Sequence, residues 1–429
     1  MSDTAGPVRA VSLPEPRGSQ VAIALVVAAL VFNLALSFIN ASVFRVSASH
    51  VIGIELVIVG IAGAMVATRS ANLYAITIAL FAWLVFAMAA RANFDPKIFR
   101  DALIPVIFFL LGRHFGSLAA GDRAVTISLL IVTAGALLEW FFLDLFLKYF
   151  DVLSFYRAKG AVDASFGGDG PGLYISGLRF DGRTLLPFLG EHRVSSVFLE
   201  PVSLGNFGAI AFAWVLLRDG KRPAALILKM LLIATVLILG DSRFGVYLCV
   251  IVALIYAVAP LARPLTVFVM PFIALILLLI YAWHKAGMPW DNTTSGRILA
   301  SGQLLTTLDL SQALGLKTTV VDFGDSGYAY VLSQFGLFGA LMLWSIYVFG
   351  CPAETMQSWR FKLFTCMYLV LLLSISTSSM TIKTGALLWF LAGCAAQGTR
   401  MAPGAMHPAA LSAILTNAFR SPRRAGLRR

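Results

Sequence analysis

Long apolar runs about twenty residues in length alternate along the chain with short polar breaks, and two of those breaks are much longer than the rest. Such a run crosses about 30 Å of hydrocarbon at 1.5 Å per residue. Helices are therefore expected over Val21–Asn40, Val51–Ala67, Leu73–Arg91, Ala102–Leu118 and Ala124–Phe146, then Val202–Leu217, Ala224–Leu239, Phe244–Val258 and Leu265–Trp283. Tyr328–Gly350, Phe361–Ser378 and Ile382–Gln397 complete about twelve spans. The class expected is an all-α polytopic membrane protein forming a single domain over residues 1–429. Segments such as Leu265 to Ile280 do not alternate in polarity, which excludes a barrel.

An even number of spans places both termini on one side. With that side cytoplasmic, Arg69, Arg113, Arg123, Arg218, Lys221, Arg222, Arg263, Arg360 and Lys362 fall inside, as short-loop cations do. The stretch from Arg91 to Arg100 is an exception. The two long loops, 147–201 and 284–327, then face outward, and the basic tail 398–429 lies beside the anionic inner leaflet.

Composition agrees. Of 429 residues, 59% are hydrophobic and 13% charged, about half the charge of an ordinary soluble chain, with mean hydropathy +0.85. The net charge of +12 does not indicate nucleic acid, because no Lys/Arg run is interleaved with aromatics. Cys249, Cys351, Cys366 and Cys394 sit in or beside apolar segments as small hydrophobes. No cleavable signal peptide is expected ahead of the first span, and no metal-ligand spacing, cofactor motif or P-loop occurs.

The polar breaks carry the candidate chemistry. Arg193, Arg243 and Arg297 enter the outer face through three separate interruptions. A guanidinium is a planar fork of donors, and several converging on one cavity would hold a diphosphate and stabilise it as it departs. The competing reading makes them loop anchors at the lipid headgroups. Arg179, Arg183, His192 and Tyr328 are further candidate substrate contacts. Glu200, Asp325 and Asp241 are the candidate carboxylate bases, Asp241 with the alternative of orienting Arg243 two residues on. Gly205, Gly208, Gly336 and Gly339, at a spacing of three, suit close helix packing. Glu55 and Glu139 lie within apolar runs and require partners or a cavity there.

In order along the chain come Arg193 with Phe198-Leu-Glu-Pro201, Asp241-Ser-Arg-Phe-Gly245, Ser295-Gly-Arg297, and Asp325-Ser-Gly-Tyr328 followed by Gly336 and Gly339. This succession resembles the Wzy-type polysaccharide polymerase and O-antigen ligase superfamily of GT-C membrane glycosyltransferases, in particular polymerases of the xanthan type. The resemblance implies an inner-membrane enzyme with a periplasmic active site and no cofactor. Donor and acceptor would both be oligosaccharides linked to undecaprenyl diphosphate, with Arg193, Arg243 and Arg297 on the diphosphate. It also implies a flippase and a chain-length regulator or export complex as partners, besides membrane lipids. Ligases of the superfamily use a histidine in the late loop, and here that loop has only His284, at its start. From the residues alone, a transporter or flippase and a scaffold within a secretion complex stand as alternatives; the absence of an internal repeat weighs against the former.

Overall fold

Helix α1 (Arg17–Ser42) opens the computed structural model, which describes residues 17–162, 172–179, 182–220, 223–288, 291, 293–318, 323 and 326–398. Asp322, Asp325, most of the Gly-rich stretch from Phe166 and the basic tail lie outside these residues. There follow α2 (Ala48–Ala67), α3 (Ala71–Ala90), α4 (Pro96–Phe115) and α5 (Leu118–Phe141). The first long break contains two short helices, α6 (Leu143–Phe150) and α7 (Val152–Ala158). Then come α8 (Pro201–Arg218), α9 (Pro223–Leu239), α10 (Arg243–Val258) and α11 (Pro264–His284). The second break holds α12 (Thr294–Thr307) and α13 (Leu310–Ala313), before α14 (Gly327–Ser345), α15 (Met356–Leu373) and α16 (Ile382–Ala395).

Each expected span coincides with one long helix. Among the described residues, seven helical segments are long and apolar enough to cross a membrane: α1, α2, α3, α5, α8, α11, and α14 with its continuation to Gly350. Helices α9, α10 and α16 are apolar but shorter. Several boundaries differ from expectation, with α5 starting at Leu118 and α15 running Met356–Leu373, and two others have a local cause. Helix α4 starts at Pro96, because Asp95 caps the Lys97 amide and proline suits the first helical position. The expected run to Phe146 breaks at Phe142, whose backbone leaves the helical region, so the first loop is largely built of short helices and turns.

Helices α8 and α16 occupy the centre; every residue of α16 is buried. Leu228, Leu254 and Ile276 instead point outward on α9, α10 and α11, an apolar surface that suits lipid. Helices α4 and α16 run side by side in the same direction, Ile104 near Gly385 and Phe109 near Gly393. Their glycines interlock: a methyl on Gly112 would collide with the Phe390 carbonyl, and one on Gly393 with the Phe109 carbonyl. Without a hydrophobic force between helices in lipid, such close backbone approach supplies the dispersion contact that holds them. Gly205 and Gly208 do the same for α8, against Ser242 and Leu237.

Helix α14 is interrupted at Gly336, whose φ of 69° only glycine adopts without strain. The carbonyls released by the break are not left bare in an apolar setting. Arg91 Nη1 donates to Ser333 O at 2.9 Å and Gln334 O at 3.3 Å, and Trp83 Nε1 donates to Phe335 O at 2.7 Å.

Candidate functional site

The segment from His192 to Leu199 lies across the end of α9, and the sequence gives it three separate fastenings. Val194 N donates to Leu239 O at 3.0 Å. Arg183 reaches His192 O at 2.9 Å and Leu239 O at 2.8 Å, and also contacts Ile238 O. These carbonyls end α9 and have no helical partner, so a guanidinium there completes hydrogen bonds at the negative end of the helix dipole. The third fastening is Glu139, fully buried in α5. It accepts from Ser195 N at 2.9 Å, Ser196 N at 2.5 Å and the Ser195 hydroxyl at 3.1 Å. His192 Nε2 lies 3.1 Å from the same carboxylate, its ring stacked on Trp140.

The turn between α9 and α10 faces this segment. Asp241 sits there with a φ of 44° and no solvent exposure. Its carboxylate accepts from Leu185 N at 2.6 Å, from Thr184 N and the Thr184 hydroxyl at 3.1 Å each, and pairs with Arg179 Nε at 2.9 Å. Arg193 Nε approaches it at 4.0 Å. Arg193 also donates to Ser176 O at 2.9 Å and Gly240 O at 3.3 Å, so its guanidinium is fixed in place. Of the five described non-glycine residues with left-handed backbone, Ser196, Leu199 and Asp241 fall in these two segments, and Leu186 follows Leu185, whose amide bonds Asp241. Strain of this kind, about 1–3 kcal/mol per residue, persists where surrounding contacts over-determine the chain.

Arg243 and Arg297 lie within electrostatic reach of Arg193. Burial lowers the Arg193 guanidinium to about 9; Arg179, Arg297 and Arg243 push in the same direction, and Asp241 opposes them. Arg243 is half-buried and makes no hydrogen bond or ion pair with any described residue. It opens α10, and Arg297 lies in the first turn of α12. A cation at a helix N-terminus meets the positive end of the dipole, an arrangement that a bound anion would relieve. Asp241 thus faces Arg179 and Arg193, and Arg243 has no carboxylate partner among the described residues.

A second polar cluster surrounds Glu200, at the head of α8. Tyr156 donates its hydroxyl to Glu200 Oε1 at 2.6 Å, while Oε2 takes the Lys383 ammonium at 2.8 Å and the Ser203 hydroxyl at 3.0 Å. Burial alone would raise this carboxyl; Lys383, Lys159 and the two side-chain hydrogen bonds overcome it and hold the group at about 2. The Lys159 ammonium lies 4.0 Å over the Tyr156 ring, which stacks on Tyr174 with centroids 4.1 Å apart. Further along, Glu55 pairs with Arg100, which also holds Asp101 at 2.7 Å; Asp101 accepts from Tyr330 at 2.7 Å.

Of the expected site residues, Arg193, Arg243, Arg297 and Arg179 share one neighbourhood, with Asp241 beneath them. His192 adjoins it through Glu139, and the Arg183 guanidinium is engaged with backbone. Glu200 belongs to the second cluster. Tyr328 donates to Val370 O at 3.2 Å and lines an apolar cavity of about 380 Å³ between α4, α11, α14 and α15. Asp101 borders that cavity; Arg193, Arg243 and Arg297 do not. Asp325 lies outside the described residues. Sequence reasoning missed Lys383, Lys159 and Tyr156. Lys383 reads as a headgroup anchor at the start of an apolar run, and the other two lie in a stretch that sequence treats as loop. Among the described residues, no group of His, Cys, Asp and Glu side chains is arranged to hold a metal.

No protein-family model matches the chain, and neither a curated protein nor a solved structure shows significant similarity to it.

Proposed function

We propose that the protein is an inverting membrane glycosyltransferase, a polysaccharide repeat-unit polymerase of exopolysaccharide synthesis. It moves a growing glycan from undecaprenyl diphosphate to the non-reducing end of another lipid-linked repeat. In this reading about twelve helices cross the bacterial inner membrane in a GT-C arrangement, α4 and α15 among them. Both termini are cytoplasmic, and the arginine cluster faces the periplasm. The observation that carries the proposal is the pairing of Arg179 and Arg193 with the Asp241 carboxylate, with Arg297 and Arg243 within electrostatic reach of Arg193 and Arg243 in no ion pair among the described residues.

In the reaction the acceptor hydroxyl oxygen bonds to the anomeric carbon of the donor. The bond from that carbon to diphosphate breaks, and its electron pair leaves on undecaprenyl diphosphate. The arginines orient the diphosphate and stabilise the charge developing on it. The hydroxyl proton needs a base. Asp241 is fully buried and its oxygens are occupied, and Glu200, held at about 2, is a weak base. That leaves His192, whose ring lies against Glu139, and Asp325, outside the described residues, as the candidate bases.

The test is to incubate the purified protein in lipid nanodiscs with one defined undecaprenyl-diphosphate-linked repeat unit. Dimers and longer products, with release of undecaprenyl diphosphate, are expected. Transfer to a lipid A core in place of a second repeat would move the protein to the ligase reading. In proteoliposomes, passage of the lipid-linked unit across the bilayer with no new glycosidic bond would make it a flippase.

A further inference from the structure

We infer that the cluster of Glu200, Lys159 and Tyr156 is a carbohydrate subsite that seats the acceptor sugar, separate from the arginine cluster that holds diphosphate. The inference rests on the polymerase reading and adds to it where the second substrate binds.

Three observations carry it. First, the Glu200 carboxylate lies deep enough that desolvation is the largest influence on it, yet its side chain keeps 26% of its exposure. Of its oxygens' lone pairs, Tyr156, Lys383 and Ser203 take three, out of the about four a carboxylate offers. About one acceptor position is left over among the described residues.

Second, the Lys159 ammonium makes no hydrogen bond or ion pair with any described residue, although it is within electrostatic reach of Glu200, Glu55 and Lys383. Three donors stand ready over an aromatic face. A lysine that needed only neutralising would close onto Glu200, as Lys383 does at 2.8 Å. Third, the base of the cluster is closed and aromatic: Tyr156 is buried, with the Lys159 ammonium on its ring and Tyr174 stacked against it. A partly exposed carboxylate acceptor beside an ammonium donor with no hydrogen bond to a described residue matches neighbouring sugar hydroxyls. A phosphate would be repelled by Glu200, so the chemistry here differs from that around Arg243.

The two clusters are linked through the chain. Glu200 lies seven positions after Arg193, which bounds the distance between their Cα atoms at about 25 Å even if the chain were fully extended. The 3-10 turn at Ser196–Phe198 shortens that span. One segment thus aligns both substrates.

The decisive variant is Lys159→Met, which removes no hydrogen bond and should fold. Two readouts are compared with wild type in nanodiscs. In the polymerisation assay the KM for acceptor should rise at least tenfold while the KM for donor stays within twofold. In saturation-transfer NMR, the repeat-unit oligosaccharide freed of lipid and diphosphate should bind wild type and Arg243→Lys but not Lys159→Met. Equal oligosaccharide binding by wild type and Lys159→Met would overturn the inference, as would a loss confined to kcat. Failure of wild type to form any glycosidic bond would instead overturn the polymerase reading, and the acceptor role with it.

Discussion

Arg91 Nη1 lies 2.9 Å from the Ser333 carbonyl, and this contact explains an exception in the charge pattern of the chain. Counted by loop, Arg91 and Arg100 fall on the face that should lack cations. Both are withdrawn from it: Arg91 is buried against the broken turn of α14, and Arg100 is held by Glu55 and Asp101. The charge rule concerns cations free to stay beside anionic lipid. Removing the donor leaves the Ser333 and Gln334 carbonyls bare in an apolar setting. Arg91→Met should cost about 1.5–3 kcal/mol, the range for hydrogen bonds to a charged group. A lower thermal midpoint in detergent, with unchanged membrane insertion, is the expected outcome.

The α4–α16 contact makes a sharper demand. Gly112→Ala and Gly393→Ala each drive a methyl into a facing carbonyl, whereas the nearest atom to a methyl at Gly385 is 3.4 Å away. Overpacking of this kind costs about 1–3 kcal/mol or more. Size-exclusion profiles and yield should therefore fall for the first two variants and hold for Gly385→Ala, although all three glycines face α4 or α16.

The helices were legible in sequence because lipid leaves a backbone little choice: a run such as Leu265–Trp283 can only be helix. Arg193, Arg243 and Arg297 stood out for the same reason, as charges placed where polar breaks meet apolar runs. Lys383 escaped notice because a lone lysine at a helix start has an ordinary use at headgroups, and only its partner Glu200, 183 residues away, makes it a site residue. Glu139 was marked as costly but without a partner, since its donors are the Ser195 and Ser196 amides, which every sequence carries. The break at Gly336 fell within an expected helix. Glycine spacing pointed there to packing alone, and the φ of 69° depends on Arg91 and Trp83, far away in the chain.

Two arginines of the first site should respond in opposite ways. Arg183 spends its guanidinium on the end of α9, so Arg183→Met should lower the thermal midpoint. Arg243 touches no described partner, so Arg243→Lys should leave that midpoint within a degree or two of wild type. Its loss is one of fork geometry toward diphosphate, and the proposed function predicts turnover lower by about 10²-fold. Polymer length and yield equal to wild type in Arg243→Lys would remove that arginine from the mechanism.

Glu200 sets the acid limit. Its carboxyl is held at about 2 against an ordinary 4.5, chiefly by Lys383 against the opposing effect of burial. A depressed carboxyl contributes stability in full above 4.5, and the contribution is lost as pH falls toward 2. At ~1.4 kcal/mol per pH unit the contribution is about 3 kcal/mol. Unfolding midpoints measured from pH 6 down to pH 2.5 should fall more steeply for wild type than for Glu200→Gln. Glu200→Gln should already be weaker at pH 6, because Lys383 keeps its charge and loses its carboxylate partner.

Lys159 gives the proposed acceptor subsite an alkaline edge. Burial is the main reason its ammonium loses its proton near 8 and not near 10.5; Lys383 adds to the effect, and Glu200 and Glu55 oppose it. Tyr156 and Phe155 present only ring faces to it. Donation to a sugar hydroxyl requires no charge, but the charged form is the stronger donor. The KM for acceptor should therefore be flat below about pH 7 and climb through pH 8 to 9 to a weaker plateau, while the KM for donor, set by arginines, stays level. For folding the sign is reversed: the unfolded chain holds this proton more tightly, so stability gains between about 8 and 10.5. Weaker acceptor binding at a pH where the fold is firmer separates the subsite from general alkaline damage. Lys159→Arg, which stays charged throughout, should abolish the climb, and an unchanged climb in that variant would assign the titration to another group.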